Sequence, residues 1–125
     1  MRERTITLDV EEILNDYSEE VRHVVDEAVN DVAKECAQRL RDTSPKKTGE
    51  YASGWTIRKE RGNKGLAKLT VFNKKAPGLT HLLEFGHVIR NGKGTYGRAP
   101  AYPHIAPVEE WANSELPDRI KRRLE

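Results

Sequence analysis

Apolar residues recur at helical spacing from Val10 to Leu40: Val10, Ile13, Leu14, Tyr17, Val21, Val24, Val25, Ala28, Val29, Val32, Ala33, Cys36, Ala37 and Leu40. This period predicts one long amphipathic helix over about residues 9–42. Asp9 is the expected N-cap, with Glu12 three residues on completing a box-like pattern. Pro45 is the expected stop, because the residue before a proline avoids the α region. Such a helix would run about 50 Å at ~1.5 Å per residue, and Asp16-Tyr17-Ser18 is its weakest point. The stripe is rich in Ala and Val and lacks Leu at regular heptad positions, so it reads as a helix lying across a sheet and not as a zipper.

The period then changes. After the turn-rich Thr43-Ser44-Pro45-Lys46-Lys47-Thr48-Gly49, the residues Tyr51, Ser53, Trp55 and Ile57 alternate with Ala52, Gly54, Thr56 and Arg58, a strand entering at about Ser53. A second alternating run, Ala67 to Asn73, follows the turn Gly62-Asn63-Lys64-Gly65, which predicts an antiparallel hairpin over about 53–73. Leu79 to Phe85 has helical spacing, with Gly86 as its C-cap. Residues 87–104 are rich in Gly, Pro and Tyr. They are expected to hold a short hairpin, with Val88 and Ile89 in one arm and Ala101 and Tyr102 in the other, and a flexible loop over about 90–98. Pro107 opens a last helix over about 106–124, interrupted at Pro117. The pattern is α+β, in a single domain over residues 1–125.

Composition adds constraints. Hydrophobic residues make up 36% of the 125 and charged residues 34%. Globular domains are usually more apolar, so part of the apolar surface is expected to be covered by other subunits. No apolar run approaches the ~18 residues of a membrane helix, and no secretory signal is expected from the Met1-Arg2-Glu3-Arg4 start. A lone Cys36 inside the apolar stripe reads as a small core residue.

The net charge of +2 is unevenly spread. Residues 1–43 carry 6 basic and 12 acidic side chains, residues 44–104 carry 12 and 3, and residues 105–125 carry 4 and 5. Two readings stand: a solvated Lys-rich surface, or a basic block that meets a polyanion or the acidic part of another copy.

Candidate chemistry is sparse. His81, Glu84 and His87 are spaced three and three, but positions six apart on a helix point to different sides, and Gly86 ends the helix before His87. The zincin pattern needs His residues four apart with Glu beside the first, so no metal and no cofactor are expected. Glu84 reads instead as a carboxylate bonded to backbone. Gly92, Gly94 and Gly97 lack the Lys-Ser/Thr of a phosphate loop, and no catalytic Ser constellation stands out. An enzyme is therefore not expected. Lys46, Lys47, Lys74, Lys75, Arg90, Lys93 and Arg98 are candidates for contact with phosphates without sequence preference, or with a neighbouring subunit.

Three stretches carry a resemblance. Ser44-Pro45-Lys46-Lys47-Thr48-Gly49-Glu50-Tyr51-Ala52-Ser53-Gly54-Trp55 resembles a Pro-x-x-Thr-Gly-x-Leu-x-x-Ser motif placed after a long first helix, with Tyr51 in place of Leu. Leu82-Leu83-Glu84-Phe85-Gly86-His87 resembles a hallmark of an aromatic or Leu pair, Glu, an aromatic and Gly. Ala99-Pro100-Ala101-Tyr102-Pro103-His104-Ile105-Ala106-Pro107 resembles a Pro-rich approach to a C-terminal helix. Together, over about residues 10–116, they are similar to the tail-completion or minor tail component family of long-tailed bacteriophages and prophages, distantly like lambda minor tail protein Z.

The resemblance implies a structural virion protein of the head–tail junction, assembled in the host bacterial cytoplasm. Its copies would form a ring, expected as a hexamer, around the DNA channel. The implied partners are the tail terminator or tail tube protein, the head connector or stopper, and double-stranded DNA bound non-specifically, with no membrane. Pro45, Thr48, Gly49, Glu84, Phe85, Gly86, Pro103 and Pro107 would be structural. The alternative is a small basic nucleic-acid-binding protein of a prophage or mobile element, and a small enzyme or toxin comes last.

Overall fold

Helix α1, Glu19–Thr43, lies across a three-stranded antiparallel sheet, and a second long helix, α4, packs on α1. The computed structural model describes residues 3–9, 18–61, 67–91 and 94–125. The fold is α+β, as the change of period implies. The sheet has the order β1-β3-β2, from β1 (Ile6–Asp9), β2 (Trp55–Arg61) and β3 (Ala67–Asn73). In the register of β3, Ile6 lies opposite Val71 and Asp9 opposite Lys68, while Trp55 lies opposite Asn73.

Strand β1 corrects the long-helix expectation. Asp9 ends a strand. Ile6 and Leu8 alternate with exposed residues, so both enter the core on one face. The α1 N-cap is Ser18, whose Oγ accepts from the Val21 N–H at 3.4 Å. The Asp9–Glu12 box, the first part of the stripe (Val10, Ile13, Leu14, Tyr17) and the weak point at Asp16-Tyr17 involve residues 10–17, outside the described residues.

The stripe from Val25 to Leu40 is buried as its period demands: Val25, Ala28, Val29, Val32, Ala33, Cys36, Ala37 and Leu40 all face inward. Its small side chains let the sheet residues Leu69, Val71 and Trp55 and the α4 residues Ile105, Val108 and Ala112 share one core. Burial pushes the Cys36 thiol up to about 12, so it stays a neutral packing group.

The strand expected from Ser53 starts later. Gly49 adopts φ 82°, and Glu50–Ser53 forms one helical turn, α2, that buries Tyr51 and Ala52 before β2 begins at Trp55. The expected 62–65 turn lies outside the described residues. Helix α3 spans Pro77–Phe85, two residues earlier than the spacing predicted, because Pro77 is tolerated at the first helical position, where no donor is needed.

The next hairpin pairs β4 (His87–Asn91) with β5 (Gly94–Ala99), so its second arm is not Ala101-Tyr102. Paired strand occupies most of the stretch expected as a flexible loop. Gly94 and Gly97 supply the positive φ values that this irregular pairing uses.

Helix α4 runs unbroken over Ile105–Leu124. Pro117 does not interrupt it, because Pro117 and Asn113, whose carbonyl loses its partner, are both exposed and water can take the bond. Arg119 pairs with Glu35 and, at 3.0 Å, with Glu115, and Arg123 pairs with Asp31 at 2.8 Å. The guanidinium of Arg39 lies 3.8 Å over the ring of Trp111. These contacts fix α4 antiparallel to α1.

Gly54 is the most crowded of the described glycines, since a Cβ there would lie 2.4 Å from Asn73 Oδ1. Gly54→Ala is expected to destabilise the protein by about 1–3 kcal/mol. It should appear as a lower urea midpoint at unchanged m-value, and an unchanged midpoint would contradict the packing.

Candidate functional site

The three motif stretches meet at one end of the molecule, around a buried polar network. Its centre is the carboxylate of Glu84, on the last turn of α3 and 3% exposed. Oε1 accepts the backbone N–H of His104 and of Ile105, each at 2.8 Å, and Oε2 accepts that of Ala106 at 2.9 Å. These are the orphan donors of the α4 N-terminus. The next residue, Pro107, has no donor to satisfy. A carboxylate from another helix therefore does what a local cap would do, and it sits at the positive end of the α4 dipole.

Burial pushes the Glu84 carboxyl up, but the three backbone hydrogen bonds and the nearby His104 outweigh it and hold it below its ordinary value.

His104 extends the network. Its Nδ1 faces two acceptors, Tyr102 O at 2.6 Å and Glu84 Oε1 at 3.1 Å, which assigns the proton to Nδ1. Nε2 then accepts from the Tyr51 hydroxyl at 2.7 Å. Burial, and after it the charge of Glu84, push the Tyr51 hydroxyl well above its ordinary value and keep it a donor.

Tyr51, Trp55 and His104 meet edge to face, with ring centroids 5.6–6.3 Å apart. Trp55 Nε1 donates to Ser44 Oγ at 2.8 Å, which ties the end of α1 to the sheet. Asn73 Nδ2 donates to Tyr51 O at 2.7 Å, and its Oδ1 accepts from the Ala76 N–H at 2.9 Å. Every polar atom of the centre is engaged inside the protein. The arrangement holds elements together and presents no open nucleophile or base.

Gly86 makes the turn after α3 with φ 73°, and a Cβ there would lie 2.7 Å from Ala99 O. Phe85 points out, 49% exposed and stacked on His81 at 4.7 Å. His81, Glu84 and His87 are not drawn together, and among the described residues no group of three or more His, Cys, Asp or Glu is placed to hold a metal ion.

The basic candidates divide into sets. Lys46, Lys47, Lys74 and Lys75 are exposed at the end where the motifs meet. There Lys75 Nζ donates to Ser53 Oγ at 2.9 Å, and the Lys74 N–H donates to Gly54 O at 3.0 Å. Arg98, on β5, donates to Phe85 O at 3.0 Å. Arg90 falls on β4, and Lys93 lies outside the described residues.

Beside the lysines is an open cleft of about 270 Å³. Pro45, Tyr51, Ala76, Leu79 and Leu83 line it, with Lys47, Thr48, Gly49 and Glu50 along its side. Pro45, Thr48 and Gly49 thus shape the cleft, while Pro103 and Pro107 line a second hollow against Arg39 and Thr43. Leu79, Phe85, Val88 and Tyr102 are 40–53% exposed; Leu79 lies in the cleft, and Phe85, six positions on along α3, points to a different side.

Sequence reasoning did not single out Tyr51, Asn73 or His104. Each is a polar side chain directly flanking an apolar or proline-bounded element, the available signal that its polar atoms must be satisfied inside.

Glu84→Gln puts an amide NH₂ against backbone donors, and the loss is expected to be about 2–4 kcal/mol. The pH dependence follows from the sign. Because the folded carboxyl lies below its unfolded value of about 4.3, the Glu84 contribution is fully present above that pH. It is lost as pH falls through the folded value. Urea midpoints between pH 7 and pH 3 should fall less steeply for Glu84→Gln than for the wild type, and parallel curves would show that the carboxylate is not held as described.

Among known families, residues 9–86 match the model of the HK97-gp10-like family, described as "Bacteriophage HK97-gp10, putative tail-component". The match covers α1, the β2–β3 hairpin and α3 through Gly86, and so two of the three motif stretches. No curated protein and no solved structure matches the chain.

Proposed function

The chain belongs to the HK97-gp10-like family of bacteriophage tail components, and from that premise we propose that it is a non-catalytic ring subunit of the head–tail junction. In this reading it completes the tail and joins it to the head connector or stopper on one side and the tail terminator or tube on the other. The copies, six in the expected ring, surround the channel through which double-stranded DNA passes, and assembly takes place in the host bacterial cytoplasm.

The observation that carries the assembled state is the exposure of four large apolar side chains, Leu79, Phe85, Val88 and Tyr102, with Leu79 in an open cleft that Lys47 and Glu50 also line. Large apolar side chains left at the surface beside polar groups suit a protein neighbour. The non-catalytic reading is supported by the use of Glu84, His104 and Tyr51 in holding α3, α4 and α2 together.

A second reading is favoured by the four exposed lysines at one end, Lys46, Lys47, Lys74 and Lys75. It makes the chain a small nucleic-acid-binding protein. The two separate by salt: a DNA binder loses affinity linearly in log–log with salt concentration, whereas a ring subunit associates without DNA.

Inactivating the chain in the phage or prophage that encodes it is expected to leave filled heads and finished tails unjoined in electron micrographs, with joining restored by the purified protein. Normal yields of joined particles would overturn the junction role. Tight, salt-steep DNA binding by a chain that stays monomeric on tails would favour the second reading.

A further inference from the structure

We infer that the two free edges of the sheet join between copies, β1 of one copy adding parallel to β2 of the next with Thr7 beside Arg58; the inference rests on the ring reading above. The order β1-β3-β2 leaves each outer strand with one unpaired side. The ladder fixes which backbone groups lie there. The Lys74 N–H donates to Gly54 O at 3.0 Å, in register with Trp55 opposite Asn73. Inward and outward groups alternate along an antiparallel strand. Thr56, Arg58 and Glu60 therefore bond to β3, while Trp55, Ile57 and Lys59 point away from it. Accordingly, Trp55 O accepts from Arg41 Nη2, on α1, at 2.9 Å. On β3 the alternate residues Leu69 and Val71 then bond to Leu8 and Ile6, which leaves Thr7 pointing outward from β1. Thr7 Oγ1 and Thr70 Oγ1 lie 3.4 Å apart, as suits the closer, non-hydrogen-bonded kind of pair.

Both edges are closed at the same end by a guanidinium, Arg41 at Trp55 O and Arg4 at Thr5 O, the latter at 2.8 Å. Ile57 and Lys59 stay open on one edge and Thr7 on the other. Among the described residues no group bonds to their N–H or C=O. In a parallel ladder a residue bonds to the two residues that flank its opposite number. Thr7 of one copy thus fits between Ile57 and Lys59 of the next: its N–H donates to Ile57 O, and its C=O accepts from the Lys59 N–H. Thr7 and Arg58, both exposed, then share the sheet face turned away from α1. Ile6 and Leu8 share the other face with Ile57 and Lys59, where Lys59 Nζ already reaches Asn30 on α1.

Charge and symmetry select this occupant. Strand β2 carries Arg58, Lys59 and Arg61 against Glu60, so two β2 edges repel, whereas the charged residue of β1 is Asp9. A turn of about 60° between six copies cannot reverse a strand, so the meeting strands run the same way. Strands β1 and β2 already do so, since both are antiparallel to β3. A contact between two different edges is heterologous, and repeated with a closing rotation it generates a ring.

The test is oxidation of the full-chain double variant Thr7→Cys, Arg58→Cys, in solution at millimolar chain and on purified tails. Within one chain these positions flank Thr70 on opposite sides, about 10 Å apart at ~4.8 Å per strand. That is too far for a disulfide, so any bond formed joins two copies. Cys36 is buried and takes no part. The expected result is a series of dimers, trimers and larger species on non-reducing gels. Thr7→Cys with Lys59→Cys, whose side chains lie on opposite faces, should give at least tenfold less. Reduced, both variants should keep the wild-type melting temperature.

No series from the Thr7–Arg58 pair in either setting, or an equal series from the Thr7–Lys59 pair, overturns the inference. Electron micrographs of the same samples separate it from the junction role. Rings or joined particles without the crosslink remove the contact and keep the role. A crosslinked series without assembly on tails keeps the contact and removes the role.

Discussion

Helix α4 begins with backbone donors that its own sequence cannot cap: His104 gives no side-chain cap, and Pro107 contributes no donor. The Glu84 carboxylate, delivered from α3, meets that need, and much of the molecule depends on it. A buried charge is costly unless its lone pairs are filled. The same three hydrogen bonds that satisfy the helix also make the charge tolerable. Neither side of this arrangement is stable alone, so α3 and the start of α4 are fixed together. His104, held by Glu84, then positions Tyr51, and Tyr51 is tied through Asn73 to the end of β3.

That network explains how a chain with a modest apolar content keeps a defined shape. The hydrophobic core is a single layer between α1 and its two coverings, the sheet and α4, filled mainly by Val, Ala, Leu and Ile. Small residues on α1 allow close approach but bury little area each. Polar links at one end and ion pairs between α1 and α4 add orientation that a layer of small side chains does not define. Apolar side chains also remain uncovered: Leu79 in the cleft beside α3, and Phe85, Val88 and Tyr102. A subunit whose own core is thin and whose surface keeps such side chains is suited to completing its burial in an assembly, in keeping with a tail component.

Much of this was legible in the chain. The stripe from Val25 to Leu40 gave a helix across a sheet, and Trp55 to Asn73 gave a hairpin, since period and burial are directly coupled in both. Ile6 and Leu8 were passed over because two alternating residues are too short a signal beside a long helical stripe. Pro117 was misread because proline breaks a helix only where the lost bond cannot be replaced, and exposure decides that. The basic candidates were visible as a run of charge, but their division between the end where the motifs meet and the β4–β5 hairpin was not.

By itself the sequence determined the local matters: the types of the longer elements, the stop at Pro45 and the turn at Gly86, because each depends on backbone conformation within a few residues. Tertiary structure alone decided that Glu84 serves a helix twenty residues away, that Tyr51 meets His104, and that Lys47 and Leu79 share a cleft. Such pairings depend on the path of the chain between the residues, and nothing in either partner's own neighbourhood encodes that path.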